Sequence, residues 1–244
     1  MLVTSFYEIY GKVERIPQYF TWFEPLGKSG LPIIVFTEEE FVPLFADYPS
    51  TVRVIVLPLK SLELYQIGMN YERDLPRYRT PEKDTQEFLS LMNTKIELIK
   101  HAAMHCTDDT LIWIDFGIFK IFKTPKKCIA KLFQLTHLSF TQIVIPGCND
   151  YLQYECYPDC VNWRFCGGVF IIPRMHLDKF YQDSKNVLSS FCNDPQYKLT
   201  WEVNIWYIIE QCTNRENIVW YHAGHEDTII LNIENVLQKC VPNE

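Results

Sequence analysis

Residues 111–117, Leu-Ile-Trp-Ile-Asp-Phe-Gly, constrain this chain more than any other stretch. Four apolar residues followed by a carboxylate describe a buried strand that delivers one charge to its C-terminal end. A lone buried carboxylate is costly unless it is paired, hydrogen-bonded or bound to a cation. At the end of a central strand in an open α/β sheet, a polar group faces the crevice where ligands bind. Asp115 therefore has two readings: an anchor for a metal or nucleotide, or an aspartate that bonds the backbone of the following turn.

The rest of the chain supplies the sheet that such a strand needs. Residues 2–7, 32–37 (PIIVFT), 52–58 (VRVIVLP), 143–147, 169–173 and 218–221 are short apolar runs rich in β-branched residues, and each reads as a strand. Helical patterns alternate with them. Residues 16–26 are aromatic-rich and partly helical, and Glu38-Glu39-Glu40 opens another helix with acid at its positive end. Over residues 84–106 Phe88, Leu91, Met92, Ile96, Ile99 and Ala103 recur at three- and four-residue spacing. Residues 177–192 and 199–211 read as two more helices, the second with Thr200 as a candidate N-cap, and a short helix starts near Ile229. Strands alternating with helices predict an α/β fold with a mostly parallel central sheet. No internal repeat and no Gly- or Ser-rich linker divides the chain, so residues 1–244 read as a single domain. Two loops stand out. Residues 69–83 are polar and carry two prolines and four basic residues, as a loop closing over a ligand would. Residues 148–165 are rich in Tyr, Asp, Asn and Cys, and a loop of that length is usually functional or mobile.

Composition narrows the function. With 244 residues, 48% of them hydrophobic, the chain can bury a substantial core. A net charge of −7 and no lysine- or arginine-rich run argue against nucleic acid as the main partner, because that binding rests on phosphate neutralisation. No secretory pattern opens the chain, and no run approaches the roughly 18 apolar residues of a membrane span. The nine cysteines are scattered, and reduced thiols in a cytoplasmic protein are the plain expectation. Cys148, Cys156, Cys160 and Cys166 cluster without a CxxC pair, which leaves a structural zinc site as the lesser reading.

Neither GxGxxG nor GxxxxGK[ST] occurs, nor a GxSxG elbow, nor HExxH, so the motif-borne chemistries lack their signals. What remains is dispersed: Asp115, Glu202 and the cluster His222, His225 and Asp227. Oxygen and nitrogen donors of this kind suit manganese or magnesium bridging a diphosphate. Each also has a plainer reading. The histidines can be ordinary loop polar groups, Glu202 can serve the dipole of a first helical turn, and Lys95 can belong to a solvated helix face.

Five segments in order carry a resemblance: Val3-Thr4-Ser5-Phe6-Tyr7, Met92-Asn93-Thr94-Lys95, Trp113-Ile114-Asp115-Phe116-Gly117, Asn162-Trp163-Arg164-Phe165-Cys166-Gly167-Gly168 and Leu199-Thr200-Trp201-Glu202-Val203-Asn204. Together they resemble the WlaTC/HtrL-type glycosyltransferases over residues 2–232. The resemblance implies a single-domain GT-A-like (Rossmann-related) α/β fold and a cytoplasmic transferase of hexosyltransferase type. It would use a nucleoside diphosphate sugar, a uridine diphosphate sugar first among donors, and a glycan or other hydroxyl acceptor. Thr4, Phe6 and Tyr7 would then lie beneath the nucleotide and Lys95 near the diphosphate. Gly167 and Gly168 would line the sugar or acceptor pocket, and Glu202 would deprotonate the acceptor. Asp115 stands at the first position of the family's counterpart of the Asp-x-Asp metal motif. The second position is Gly117, so another ligand is expected to come from His225, with His222 behind it. Two alternatives stay open: a sugar nucleotidyltransferase, and a catalytically inactive carbohydrate- or protein-binding domain of the same fold. The aromatics Tyr151, Tyr154, Tyr157 and Trp163 would stack on sugar under either kind of reading.

Overall fold

The computed structural model describes residues 1–149, 159–212 and 216–240. All seven expected strands form: β1 (Leu2–Phe6), β2 (Ile33–Thr37), β3 (Val52–Val56), β4 (Thr110–Ile114), β5 (Ile143–Gly147), β6 (Val169–Pro173) and β7 (Ile218–His222). They make one sheet in the order β3-β2-β1-β4-β6-β5-β7. Every pairing is parallel except those of β6, which runs antiparallel to both β4 and β5. The sheet is thus mostly parallel. Burial follows the same logic: β2, β4, β5 and β6 are buried along their whole length, whereas the edge strands β3 and β7 are partly exposed.

Alternation with period two divides the strands between two cores. Val3, Ile34, Phe36, Leu111, Trp113 and Phe170 face one side, and Leu2, Phe6, Val35, Ile112, Ile114 and Ile171 the other. The first side is covered by α2 (Glu63–Met69), α3 (Gln86–Asn93), α4 (Lys95–Ala103), α6 (Arg174–Asn193) and α7 (Glu202–Cys212). The second is covered by α1 (Ile16–Gly27), α5 (Pro125–Leu135), α8 (Thr228–Leu231) and α9 (Glu234–Cys240).

Several boundaries differ from the sequence reading. The single helix expected over 84–106 is two helices, broken at Thr94, whose hydroxyl donates to the Leu91 carbonyl at 2.7 Å. That break makes Lys95 the first residue of α4. The segment after Glu38 is a 3₁₀ helix, Glu39–Phe45, with Pro43 inside it unable to donate a backbone N–H. α7 begins at Glu202 rather than 199. Thr200 does not cap it: the Thr200 hydroxyl accepts from Asn204 Nδ2, and the Asn204 N–H reaches the Trp201 carbonyl. β4 ends at Ile114, so Asp115 is the first residue beyond the strand. Tyr151, Tyr154, Tyr157 and Cys156 lie outside the described residues; Trp163 lies within them.

The end of β5 is closed by the 160s segment. The Cys166 N–H donates to the Pro146 carbonyl at 2.7 Å, and Trp220 Nε1 donates to the Arg164 carbonyl at 3.0 Å. Gly147 makes this possible, since a Cβ there would lie 1.8 Å from the Arg164 carbonyl oxygen and 2.1 Å from Trp220 Nε1. Gly147→Ala is therefore expected to cost about 3 kcal/mol, the upper range for overpacking a well-filled site. Urea denaturation measures it, and a loss below about 0.5 kcal/mol would contradict the packing described.

Candidate active site

β1 and β4 lie side by side and parallel, but the chain goes on from them in opposite directions across the sheet. At such a switch point the loops beyond the two strand ends diverge and leave a crevice. Here it is a cavity of about 490 Å³, walled by residues 5–10 after β1 and by Asp115 to Ile121 after β4. That volume suits a drug- or nucleotide-sized ligand. Its walls are aromatic: Tyr10, then Tyr19 and Trp22 from α1, and Phe88 from α3. A second cavity of about 120 Å³ adjoins it, lined by Gly167, Gly168, Trp163, Trp201 and Glu202. Lys83, Phe88, Met92, Lys95, Asp115, Ile118 and His225 border both.

Lys95 stands at the join. It is 2% exposed, and its ammonium donates to Glu202 Oε1 at 2.8 Å and to the Gly167 carbonyl at 2.8 Å. Asp115 Oδ1 lies 3.0 Å from it. An ammonium has three N–H donors, and these three partners account for them all. The fold brings the partners together from remote positions. The antiparallel run of β6 sets Val169 beside Ile114, so Gly168 meets the residue after β4, and the Asp115 N–H donates to the Gly168 carbonyl at 2.8 Å. Asn93 Nδ2, just before the helix break, donates to the Thr200 carbonyl at 2.8 Å and ties α3 to the start of α7. Trp113 Nε1 donates to Asp115 Oδ1 at 2.7 Å.

Two carboxylates share one ammonium, and this sets the electrostatics. Burial alone would push the Lys95 ammonium down; Asp115 and Glu202 outweigh it, so the shift is upward and the cation is kept. Burial pushes the Glu202 carboxyl up, Lys95 pulls it back in part, and Asp115 pushes it up again. Glu202 is the deeper of the two carboxylates, so it carries the desolvation. The result is an acid held above the ordinary glutamate range beside a fixed cation.

The expected site residues divide into those the fold gathers and those it does not. Asp115, Lys95, Glu202, Gly167, Gly168 and His225 converge, and Phe6 and Tyr7 line the larger cavity. The Tyr7 hydroxyl donates to the Leu57 carbonyl at 2.8 Å, which commits it to the scaffold. Thr4 lines neither cavity: it sits mid-strand, wholly buried, two residues short of the strand end where the crevice opens. His222 is exposed at the end of β7 and also lines neither. Lys95 is no solvated-face lysine. The two glycines admit protein rather than open space: a Cβ on Gly167 would lie 2.0 Å from Glu202 Oε1, and one on Gly168 2.7 Å from Ile118 Cδ1.

Few protein donors are free for the expected manganese or magnesium. Among the described residues no group of three His, Cys, Asp or Glu is arranged to hold a metal ion. Asp115 Oδ1 already takes Lys95 and Trp113, which leaves Oδ2, the His225 ring and the Glu82 carboxylate along the larger cavity. Cys148 and Cys166 do meet, Sγ to Sγ at 3.3 Å, with the Cys148 thiol lowered to about 7 by its partner, but they form no four-ligand zinc set among the described residues.

Sequence reasoning missed Tyr10, Tyr19, Trp22, Lys83 and Lys120 as cavity residues. Two signals were available: Lys83 ends the basic 69–83 loop, and Lys120 is a single charge inside Ile-Phe-Lys-Ile-Phe just after the Asp115 strand.

No protein-family model and no curated protein matches the chain. Solved structures of similar shape include a glycosyltransferase involved in the glycosylation of the major capsid of PBCV-1. That one is 13% identical, with 91% of this chain and 81% of that chain covered, at a TM-score of 0.45. The glycosyltransferase GlyE of Streptococcus pneumoniae TIGR4 is 10% identical, with 90% and 44% covered, at 0.44. A CMP:2-keto-3-deoxy-manno-octonic acid synthetase complexed with CTP is 9% identical, with 98% and 98% covered, at 0.42. Likeness at this level says nothing of substrate or reaction.

Lys95→Met leaves two carboxylates facing each other without their cation, and is expected to cost about 3–5 kcal/mol. Glu202→Gln keeps the shape and the Lys95–Asp115 pair, and should cost about 1 kcal/mol or less. The pH dependence separates them further. Because the Glu202 carboxyl titrates higher in the fold than in the unfolded chain, its contribution is present below the ordinary glutamate range and lost as pH rises through the raised value. Glu202→Gln should lack that loss. Denaturant titrations between pH 4 and pH 8, roughly the window in which a raised carboxyl titrates, read it out; superimposable pH curves for wild type and variant would refute the shift.

Proposed function

We infer that this chain is a glycosyltransferase of the GT-A kind, a single catalytic domain that moves a sugar from a nucleoside diphosphate sugar to a hydroxyl of a glycan or similar acceptor. One observation carries the reading: a buried Lys95–Glu202–Asp115 array stands where two cavities of unequal size meet at the sheet's switch point. The larger cavity suits the nucleotide, whose flat base matches the aromatic faces of Tyr10, Tyr19 and Trp22. A uridine diphosphate sugar is the first donor to test. The smaller cavity, with the indoles of Trp163 and Trp201, suits the acceptor.

In an inverting course the acceptor oxygen bonds to the anomeric carbon while the bond from that carbon to the phosphate oxygen breaks. The acceptor proton passes to Glu202. A base in water at an ordinary glutamate pKa is weak, and a carboxylate whose pKa is raised by burial accepts a proton more readily near neutral pH. Lys95 is a positioning residue here: it fixes Oε1 of Glu202 and leaves the second oxygen to the acceptor.

The nucleotidyltransferase alternative needs backbone N–H groups after the first strand to cradle a triphosphate. In this turn the Tyr10, Gly11 and Lys12 N–H groups all donate to the Glu8 carboxylate, at 2.8–3.1 Å, which weighs against it.

Transfer or hydrolysis should be assayed with uridine, cytidine, guanosine, thymidine and adenosine diphosphate sugars. Glu202→Gln should lower turnover by about 10²–10⁴-fold. Burial is the main cause of the raised Glu202 carboxyl and Asp115 adds to it, so Asp115→Asn should move the acid limb of kcat/KM to lower pH. A folded Glu202→Gln protein with undiminished turnover would dismiss Glu202 as the base. Nucleotide binding with no turnover of any donor would favour the inactive carbohydrate- or protein-binding domain.

A further inference from the structure

Resting on the donor site just described, we propose that the diphosphate is clamped by Lys83 and Lys120 from opposite walls of the larger cavity and needs no divalent cation. Lys83 belongs to the loop before α3 and stands 4.9 Å over the Phe88 ring; Lys120 follows β4 and stands 5.1 Å over the Trp22 ring. Both line the cavity, and among the described residues neither forms an ion pair. Lys95, the cation nearest the join, has no N–H left to give.

The electrostatics of the cavity point the same way. Burial lowers the Lys120 ammonium, and Lys83 lowers it further. Asp115 offsets this in part, and the two lysines still repel each other across one space, where an anion between them would relieve the repulsion. A dication placed there would meet Lys83, Lys95 and Lys120, with Asp115 Oδ2, His225 and Glu82 as the protein donors left along the wall. A diphosphate meets instead two ammonium groups that act as point charges, a common mode of phosphate binding.

The test is calorimetric titration of the full-length chain with uridine, cytidine, guanosine, thymidine and adenosine diphosphates and the matching nucleosides. It is run once in EDTA and once in manganese. The proposal expects one diphosphate to bind in EDTA within about threefold of its affinity in manganese. Lys83→Met and Lys120→Met, both at exposed positions, should each weaken it by roughly tenfold, with nucleoside binding unchanged and affinity recovered in the Arg variants. Binding that requires manganese and disappears in Asp115→Asn would overturn the clamp and leave the transferase reading standing. Equal affinity for wild type and the double Met variant would also overturn the clamp. No binding of any nucleotide in either buffer would overturn both.

Discussion

The Lys95 ammonium is the interaction on which the rest of this site depends. A charge taken out of water is tolerated only with matched partners. Here the partners are two carboxylates and a carbonyl delivered by β4, the β6 approach and α7. Remove the cation and Glu202 and Asp115 repel across the join of the two cavities. Remove a carboxylate and the imbalance eases, because there were two for one. The array is therefore asymmetric in its tolerance, and that asymmetry follows from charge counting before any chemistry is considered.

Much of this was readable in the residues. Seven apolar runs rich in β-branched residues stood out because strands packed under helices must be largely apolar, and each formed within a residue or two of where it was expected. Asp115 was readable for the same reason: a carboxylate ending such a run has nowhere to go except the strand's edge. Lys95 was not. Its helical spacing placed it on a solvated face, and only the break at Thr94, made by a side chain bonding its own backbone, turned it inward. The direction of β6 was equally invisible, since apolar alternation carries no polarity, yet it is what brings Gly168 to Asp115. Thr4 shares its face of β1 with Phe6 but lies two residues short of the strand end, so it lines neither cavity.

The basic groups of the larger cavity teach a different lesson. Lys83 ends a polar loop and Lys120 interrupts a largely buried apolar run, and each owes its meaning to a wall 37 residues away in sequence. Aromatic rings beneath both ammonium groups hold them over the space without neutralising them. A carboxylate in place of either ring would have closed the site as an ordinary ion pair. Gly167 plays the complementary part on the other side, where the missing Cβ lets Glu202 reach the lysine at all.

The separation of Lys95 from Glu202 along the chain, 107 residues, also sets a timetable for folding. Contacts so remote in sequence form after the local ones, because the intervening chain must first lose its entropy. Until β6 has paired with β4 and α7 has docked, Lys95 has no reason to leave water, and the crevice between β1 and β4 stays open at its base. During synthesis the N-terminal strands can assemble while the ribosome still holds the segment that carries Glu202. The join of the two cavities then closes late, and a chain interrupted before α7 keeps most of the larger cavity's lining but lacks the Glu202 carboxylate.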